Sequence, residues 1–293
     1  VMKLVIAATP TVALPTIEAL KDSQHEIVHL ITQPDKPAGR GRVMTPTPVG
    51  RKFSCKKPNN ETEILELLTG CDLLITIGYG RILSEKILSL PRLGGVNLHF
   101  SLLPKWRGAA PVQRSLEAGE KLTGVTVFQM DQGVDTGPIW VQKEFEIPDN
   151  FYASELFEAL ALVGRDAIVE TLACIETEKP APQSGVASFA KKISNDELRL
   201  NWGSASVKIR NLIRGLGPNT YTTFRNEKIL ISKVEYSTMK LPASELAIID
   251  RELFVGTSDS ALQISQLTPS GKREMSGSDF VNGVRLRAGE SFE

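Results

Sequence analysis

The sequence predicts an α/β fold, a Rossmann-like, mostly parallel sheet with helices on both faces, followed by a C-terminal OB-like β-barrel domain. Three observations predict it. Over residues 1–177, short apolar runs alternate with helical stretches, the pattern of strands buried on both faces and joined by crossover helices. Beyond the proline-bearing stretch EKPAPQSG (178–185), the apolar runs are short, separated by turns and lack intervening helices, which suits a small barrel. After the first strand the chain reads AATPTVA where a dinucleotide-binding protein carries GxGxxG, so the winding is Rossmann-like without an NAD site.

The elements follow in order. LVIAAT (4–9) reads as a buried strand, TVALPTIEALKDS as a helix and EIVHLITQ (26–33) as a second strand, which makes the start a βαβ unit. A basic loop leads to a helix in ETEILELLTG, a buried strand in CDLLITIGYG, a helix in ILSEKILSL and a further strand in GGVNLHF. APVQRSLEAG, TGVTVFQM and a long amphipathic helix around 153–176 continue the alternation. Past the break come a helix at SVKIRNLIRGL (206–216) and β-rich runs at TYTTF, KILISKVE, ELAIID, ELFVGTS and ALQISQL. The expected division is an N-terminal domain at 1–177, a linker at 178–198 and a barrel at 199–293.

A chain of 293 residues with 41% apolar and 23% charged residues has the length of two domains and the composition of a soluble globular protein. Its first apolar run is broken by Thr9-Pro10 and charged by Glu18 and Lys21, which fits neither a signal peptide nor a membrane span. Cys55, Cys71 and Cys174 are scattered without a CxxC pair, which argues for a reducing, cytoplasmic setting and against a zinc site or disulfide framework. His25, His29 and His99 are too few and too scattered for a metal site, so metal-independent chemistry is expected. The net charge of zero divides into −3 over residues 1–180 and +3 over 181–293. Residues 36–57 hold seven basic side chains and no acidic one, a segment compatible with an anionic partner.

The chemistry concentrates in NLHFSLLPKWRGAAP (97–111). Strand alternation puts Asn97, His99 and Ser101 on one face, at the carboxyl end of a strand where open α/β sheets bind ligands. An amide there can donate to a developing oxyanion, and an imidazole can stabilise charge or move a proton. A polar strand end satisfied by nearby backbone is the plain alternative. QMDQGVDTGPI (129–139) adds Asp131 and Asp135 in a glycine-bearing loop at another strand end. A carboxylate near the imidazole would orient it and raise its pKa, although Asp and Gly also suit an ordinary turn. The loop lacks the spacing and terminal Glu of a calcium-binding EF-hand.

Together these two segments resemble the folate-dependent formyltransferases, which transfer a formyl group from 10-formyltetrahydrofolate to an amine. The resemblance implies that Asn97, His99 and Asp135 form the catalytic set and that Ser101, Leu102, Leu103 and Pro104 contact the folate. It also implies that DLLITIGYGRIL, around 73–83, lines the pteridine pocket. QPDKPAGRGRVMTPTPV (33–49) resembles the loop that, in family members acting on charged initiator tRNA, enters the acceptor arm. RNLIRGLGP and LTPSGKREMSGSDFVNG resemble those members' tRNA-holding C-terminal domain. Arg40 and Arg42 of the 33–49 loop are the implied RNA contacts, and the mildly basic C-terminal part is consistent with a channel clustering Lys191, Lys192, Lys208, Arg210 and Arg214, of which Lys192 and Arg210 are expected to contact RNA. A Gly/Arg loop can meet phosphates or stack on unpaired bases. Two stretches depart from the family pattern: IAATPTVA replaces FAGTPxFA, and GLGPNTYTTF replaces an Asn-Pro-rich turn. The alternatives are a formyltransferase acting on glycinamide ribonucleotide or a sugar-nucleotide amine, and a noncatalytic RNA-binding relative.

Overall fold

The computed structural model describes residues 1–293 apart from Arg40 and Ala288, and the chain resolves into two compact units. The first comprises residues 1–111, 122–146 and 156–190, and the second 112–121, 147–155 and 191–293. In chain order β1 (Lys3–Ala8), α1 (Leu14–Lys21) and β2 (Glu26–Ile31) are followed by a hairpin of β3 (Lys36–Ala38) and β4 (Val43–Thr45). Next come α2 (Pro48–Lys52), α3 (Glu61–Leu68), β5 (Leu73–Ile77), α4 (Glu85–Leu88), β6 (Gly95–His99), β7 (Arg107–Gly108) and α5 (Pro111–Glu117). β8 (Leu122–Gln129), β9 (Ile139–Glu146), α6 (Ala153–Cys174) and β10 (Phe189–Ala190) complete this part of the chain.

The sheet of the first unit runs in the order β2-β1-β5-β6-β8-β9. Its first four strands are mutually parallel, β8 runs antiparallel to β6, and β9 runs antiparallel to β8. The most apolar runs take its centre: all five residues of β5 and the last five of β1 are buried, as strands covered on both faces require. β9 is absent from the sequence-based reading because IWVQKEFE alternates between sheltered and exposed positions instead of forming an apolar run. Alternation of that kind marks a half-solvated strand at a sheet edge. The helix α6 lies against β6, the strand that carries Asn97 and His99. A Cβ at Gly164 would stand 2.6 Å from Leu98 Cδ2, so glycine is what permits the approach.

In the second unit α7 (Ser206–Leu216) precedes β11 (Tyr221–Phe224), β12 (Glu227–Ser237), β13 (Leu246–Ile249), β14 (Glu252–Gly256), β15 (Ala261–Pro269), β16 (Met275–Ser276) and α8 (Gly277–Gly283). The antiparallel order β11-β12-β15-β14-β13 forms a curled, OB-like sheet. Residues 290–293 bridge its two ends. Leu246 N–H donates to Glu290 O at 2.9 Å and Phe292 N–H to Ser244 O at 3.0 Å, while Glu293 N–H donates to Thr223 O at 2.9 Å. Phe292 is buried and stacks on Trp202 with ring centroids 5.6 Å apart.

Residues 112–121 and 147–155 belong with this second unit, although the sequence places them in the N-terminal domain. Arg114 ties the first of these segments to Glu197 at 2.7 Å and to Lys191 O at 3.2 Å, and a pair of arginines on α7 ties the second. Arg210 donates to Asp149 O at 2.8 Å and pairs with the Asp149 carboxylate at 3.2 Å, its guanidinium 4.6 Å from the centre of the Tyr236 ring. Arg214 donates to Phe151 O at 2.8 Å and Pro148 O at 3.2 Å. The Tyr152 hydroxyl donates to Val234 O at 3.0 Å. Both arginines are buried, so Arg210, expected to contact RNA, is withdrawn from the surface set, and Arg214 with it. Replacing Arg214 by Met removes charge-assisted hydrogen bonds to the Phe151 and Pro148 carbonyls; Pro148 is exposed and can turn to water, so the loss is that of roughly one such bond, about 1.5–3 kcal/mol. Urea denaturation should register a loss of about 1.5–3 kcal/mol on that basis, and an unchanged midpoint would show that these bonds contribute nothing to stability.

Candidate active site

The site lies at the carboxyl ends of β5 and β6. Register sets its first contact: Thr76 of β5 lies opposite Asn97 of β6, and the Thr76 hydroxyl donates to Asn97 Oδ1 at 2.7 Å. That bond occupies the oxygen of the amide. No hydrogen bond among the described residues takes the Nδ2 group of Asn97, which is only partly buried. Two donor hydrogens are thereby held in a fixed direction. Two residues on, His99 is 5% exposed, its Nε2 is 2.9 Å from Trp106 O, and its Nδ1 is 3.5 Å from Asp135 Oδ2.

A carbonyl oxygen can only accept, so Nε2 carries the hydrogen and, in the neutral ring, Nδ1 is bare. Burial pushes the His99 pKa below its ordinary value of 6.5, against the opposing pull of Asp135 and of the Trp106 carbonyl. The sequence-based expectation was a pKa raised by the carboxylate. Asp135 does act in that direction, but desolvation of the imidazolium outweighs it. At neutral pH His99 is therefore a proton acceptor at Nδ1. Asp135 stands where it would stabilise the cation once formed.

Asp135 reaches this place from the loop between β8 and β9. Its backbone is left-handed, with φ of 53°, a conformation Asp tolerates better than most residues. Its Oδ2 accepts the Gly108 N–H at 2.7 Å. Asp131, the other candidate carboxylate, is spent inside the loop, accepting from Gly133 N–H at 3.0 Å and the Thr136 hydroxyl at 2.7 Å. Gly108 has φ of 116°, and a Cβ there would lie 2.8 Å from Ala190 O, so both its conformation and its space require glycine.

The stretch 178–190, expected as part of a linker, instead supports the site. β10 pairs in parallel with β7, Trp106 N–H donates to the Ser188 hydroxyl at 2.9 Å, and Gln183 bonds to Arg107 and to the Asp135 loop. Trp106 and Arg107 thereby gain specific partners. Sequence reasoning passed over Thr76, Gln183 and Ser188. A lone hydroxyl inside LLITI was a usable signal, because a buried threonine needs a partner, whereas nothing marked Gln183 or Ser188.

Ser101 to Pro104 form a tight turn directly after β6. The Ser101 hydroxyl donates to Lys105 O at 2.6 Å, Ser101 O accepts from Thr126 Oγ1 at 2.7 Å, and Leu103 O accepts from Gln142 at 3.0 Å. Ser101, Leu103 and Pro104 are buried, which leaves Leu102 as the partly exposed member. Of the expected RNA contacts, Arg42 and Lys192 are exposed; Arg42 sits in the turn between β3 and β4, with its N–H donating to Gly39 O at 3.3 Å. The segment expected as a loop is thus a short hairpin. Arg40 lies outside the described residues.

Comparison with known proteins places this geometry in context. Residues 2–172 match the family model for formyl transferase, and residues 192–285 match that for the formyl transferase C-terminal domain. A methionyl-tRNA formyltransferase of Salinispora tropica is 36% identical over 307 residues, covering 99% of both chains. Among solved structures, HypX from Aquifex aeolicus superposes with a TM-score of 0.70 at 16% identity; 96% of this chain matches 47% of that one. An N-formyltransferase from Helicobacter canadensis gives a TM-score of 0.69 at 20% identity, with 92% of this chain matching 100% of that chain.

Proposed function

Because the chain belongs to the formyl transferase family, we propose that it transfers the formyl group of 10-formyltetrahydrofolate to the α-amine of methionyl-initiator tRNA. The single observation that carries the chemistry is the juxtaposition of an oriented Asn97 amide with a neutral His99 backed by Asp135. Similarity over nearly the whole length to relatives bearing that enzyme's name favours the tRNA acceptor over other amines. We place the reaction in a reducing, cytoplasmic setting, in keeping with three free cysteines among the described residues.

The folate is a co-substrate that supplies the formyl carbon. Asn97 Nδ2 donates to the formyl oxygen as it gains charge, an interaction stronger in the transition state than before it. The attacking α-amine titrates near pH ~8, so a reactive neutral fraction exists at neutral pH without a strong base. His99 Nδ1 takes the proton the amine sheds, and the imidazolium is held between Asp135 and the Trp106 carbonyl until the proton passes to the departing nitrogen. The Ser101–Pro104 turn contributes shape through Leu102, since its polar groups are engaged within the protein. Arg42 and Lys192, both exposed, are the residues assigned to RNA phosphates.

The test is direct. Incubation with 10-formyltetrahydrofolate and charged initiator tRNA should yield formylmethionyl-tRNA, with uncharged tRNA and glycinamide ribonucleotide inert. Formylation of the ribonucleotide but not of the tRNA would overturn the assignment.

A further inference from the structure

We propose that Gln183 is a positioning residue for formyl transfer, acting by clamping the Asp135 loop to Arg107 so that the carboxylate stays against His99. The inference rests on the catalytic reading of Asp135 given above. Gln183 lies between the segments matched by the two family models, which end at 172 and resume at 192.

The hydrogen bonds fix the role of each amide atom. Gln183 Nε2 lies 2.9 Å from Asp135 O and 2.8 Å from Gly137 O, two groups that can only accept. Its Oε1 lies 3.2 Å from Arg107 Nε and 2.6 Å from the Arg107 Nη2, which can only donate. A primary amide is the group that meets both demands at once. A carboxylate could take the guanidinium but would face the two carbonyls without a hydrogen.

The clamp grips the places that define the site. One end holds the carbonyls on either side of Thr136, fixing a loop whose Asp135 sits in a left-handed conformation. The other end holds Arg107, whose neighbours are the residues that touch the catalytic groups. The Trp106 carbonyl faces His99 Nε2, and the Gly108 N–H binds the Asp135 carboxylate. One side chain therefore couples the partner of one imidazole nitrogen to the partner of the other.

The test is a double-mutant cycle on the full chain, read by formylation of charged initiator tRNA. Gln183→Met should lower kcat by about 10- to 100-fold, the scale of a small misplacement at a reacting centre, with KM for both substrates nearly unchanged. Gln183→Glu should behave likewise, which guards against a folding defect peculiar to the methionine variant. In an Asp135→Asn background Gln183→Met should add little, because the two changes act through one group. Fully multiplicative losses, or a raised KM with kcat preserved, would overturn the proposal.

A second readout needs no turnover. Only three histidines are present, so the His99 ring can be followed by NMR. Gln183→Met should shift the His99 signals and lower the pH at which they titrate, as the raising influence of Asp135 recedes, while His25 and His29 stay constant. Unchanged His99 signals would overturn the clamp. If the wild-type chain failed to formylate tRNA yet His99 responded, the functional reading would fall and the clamp would stand.

Discussion

Asn97→Ala should lower kcat for formyl transfer by about 10²–10³-fold, the scale of losing one donor to a developing oxyanion. The neighbouring geometry leaves no substitute. With the amide gone, the Thr76 hydroxyl still has the Val96 carbonyl at 3.2 Å to take its hydrogen, and the His99 Nε2 hydrogen is committed to the Trp106 carbonyl. KM for the folate should change by about twofold or less, because the lost interaction forms chiefly in the transition state. Thr76→Val is the instructive companion, since it keeps the amide and removes only its tether. Steady-state kinetics check both, and near-normal turnover in Asn97→Ala would remove the amide from the mechanism.

His99→Ala should have a comparable effect, about 10²–10⁴-fold on kcat, the range for a lost general base. The wild-type pH profile carries the sharper prediction. Burial depresses the pKa of His99, so the neutral, active ring persists through neutrality. The acid limb of kcat/KM should then fall below pH 6.5, the ordinary value for the group, and it should be missing from the His99→Ala profile. The sign for stability is the same. An unfolded chain takes up this proton more readily than the folded one, so the contribution of His99 is fully present above 6.5 and is lost as pH falls through the depressed folded value. An acid limb centred above 6.5 would mean that the carboxylate outweighs burial.

Much of this was legible in the chain itself, and the failures have physical causes. Apolar runs locate β1, β5, β6 and β8 because strands buried on both faces must be apolar throughout. β9 escaped that criterion because only part of it is sheltered. Alternation along one strand put Asn97 and His99 on one face, whereas the loop offered Asp131 and Asp135 alike and only the family resemblance singled out Asp135. The ionisation of His99 was misread because neighbouring charge is visible in a motif and burial is not. Arg210 was misread for a related reason: basic residues on a helix suggest a surface, yet here the guanidinium serves the carbonyl and the carboxylate of Asp149. Gln183 left no trace because its importance comes entirely from what surrounds it.

The way the chain passes repeatedly from one compact unit to the other has a consequence for how such a protein can be rearranged. A cut at the proline-bearing stretch looks like the natural seam, but it would strand α5 and the 147–155 segment on the wrong fragment and leave Arg210 and Arg214 without their carbonyl partners. It would also part Gln183 or Ser188 from the groups they hold, depending on the exact breakpoint. Transplanting the C-terminal half onto another catalytic half would thus carry over a body with pieces missing. In such a design the unit of exchange is the whole chain, or else a set of three segments moved together.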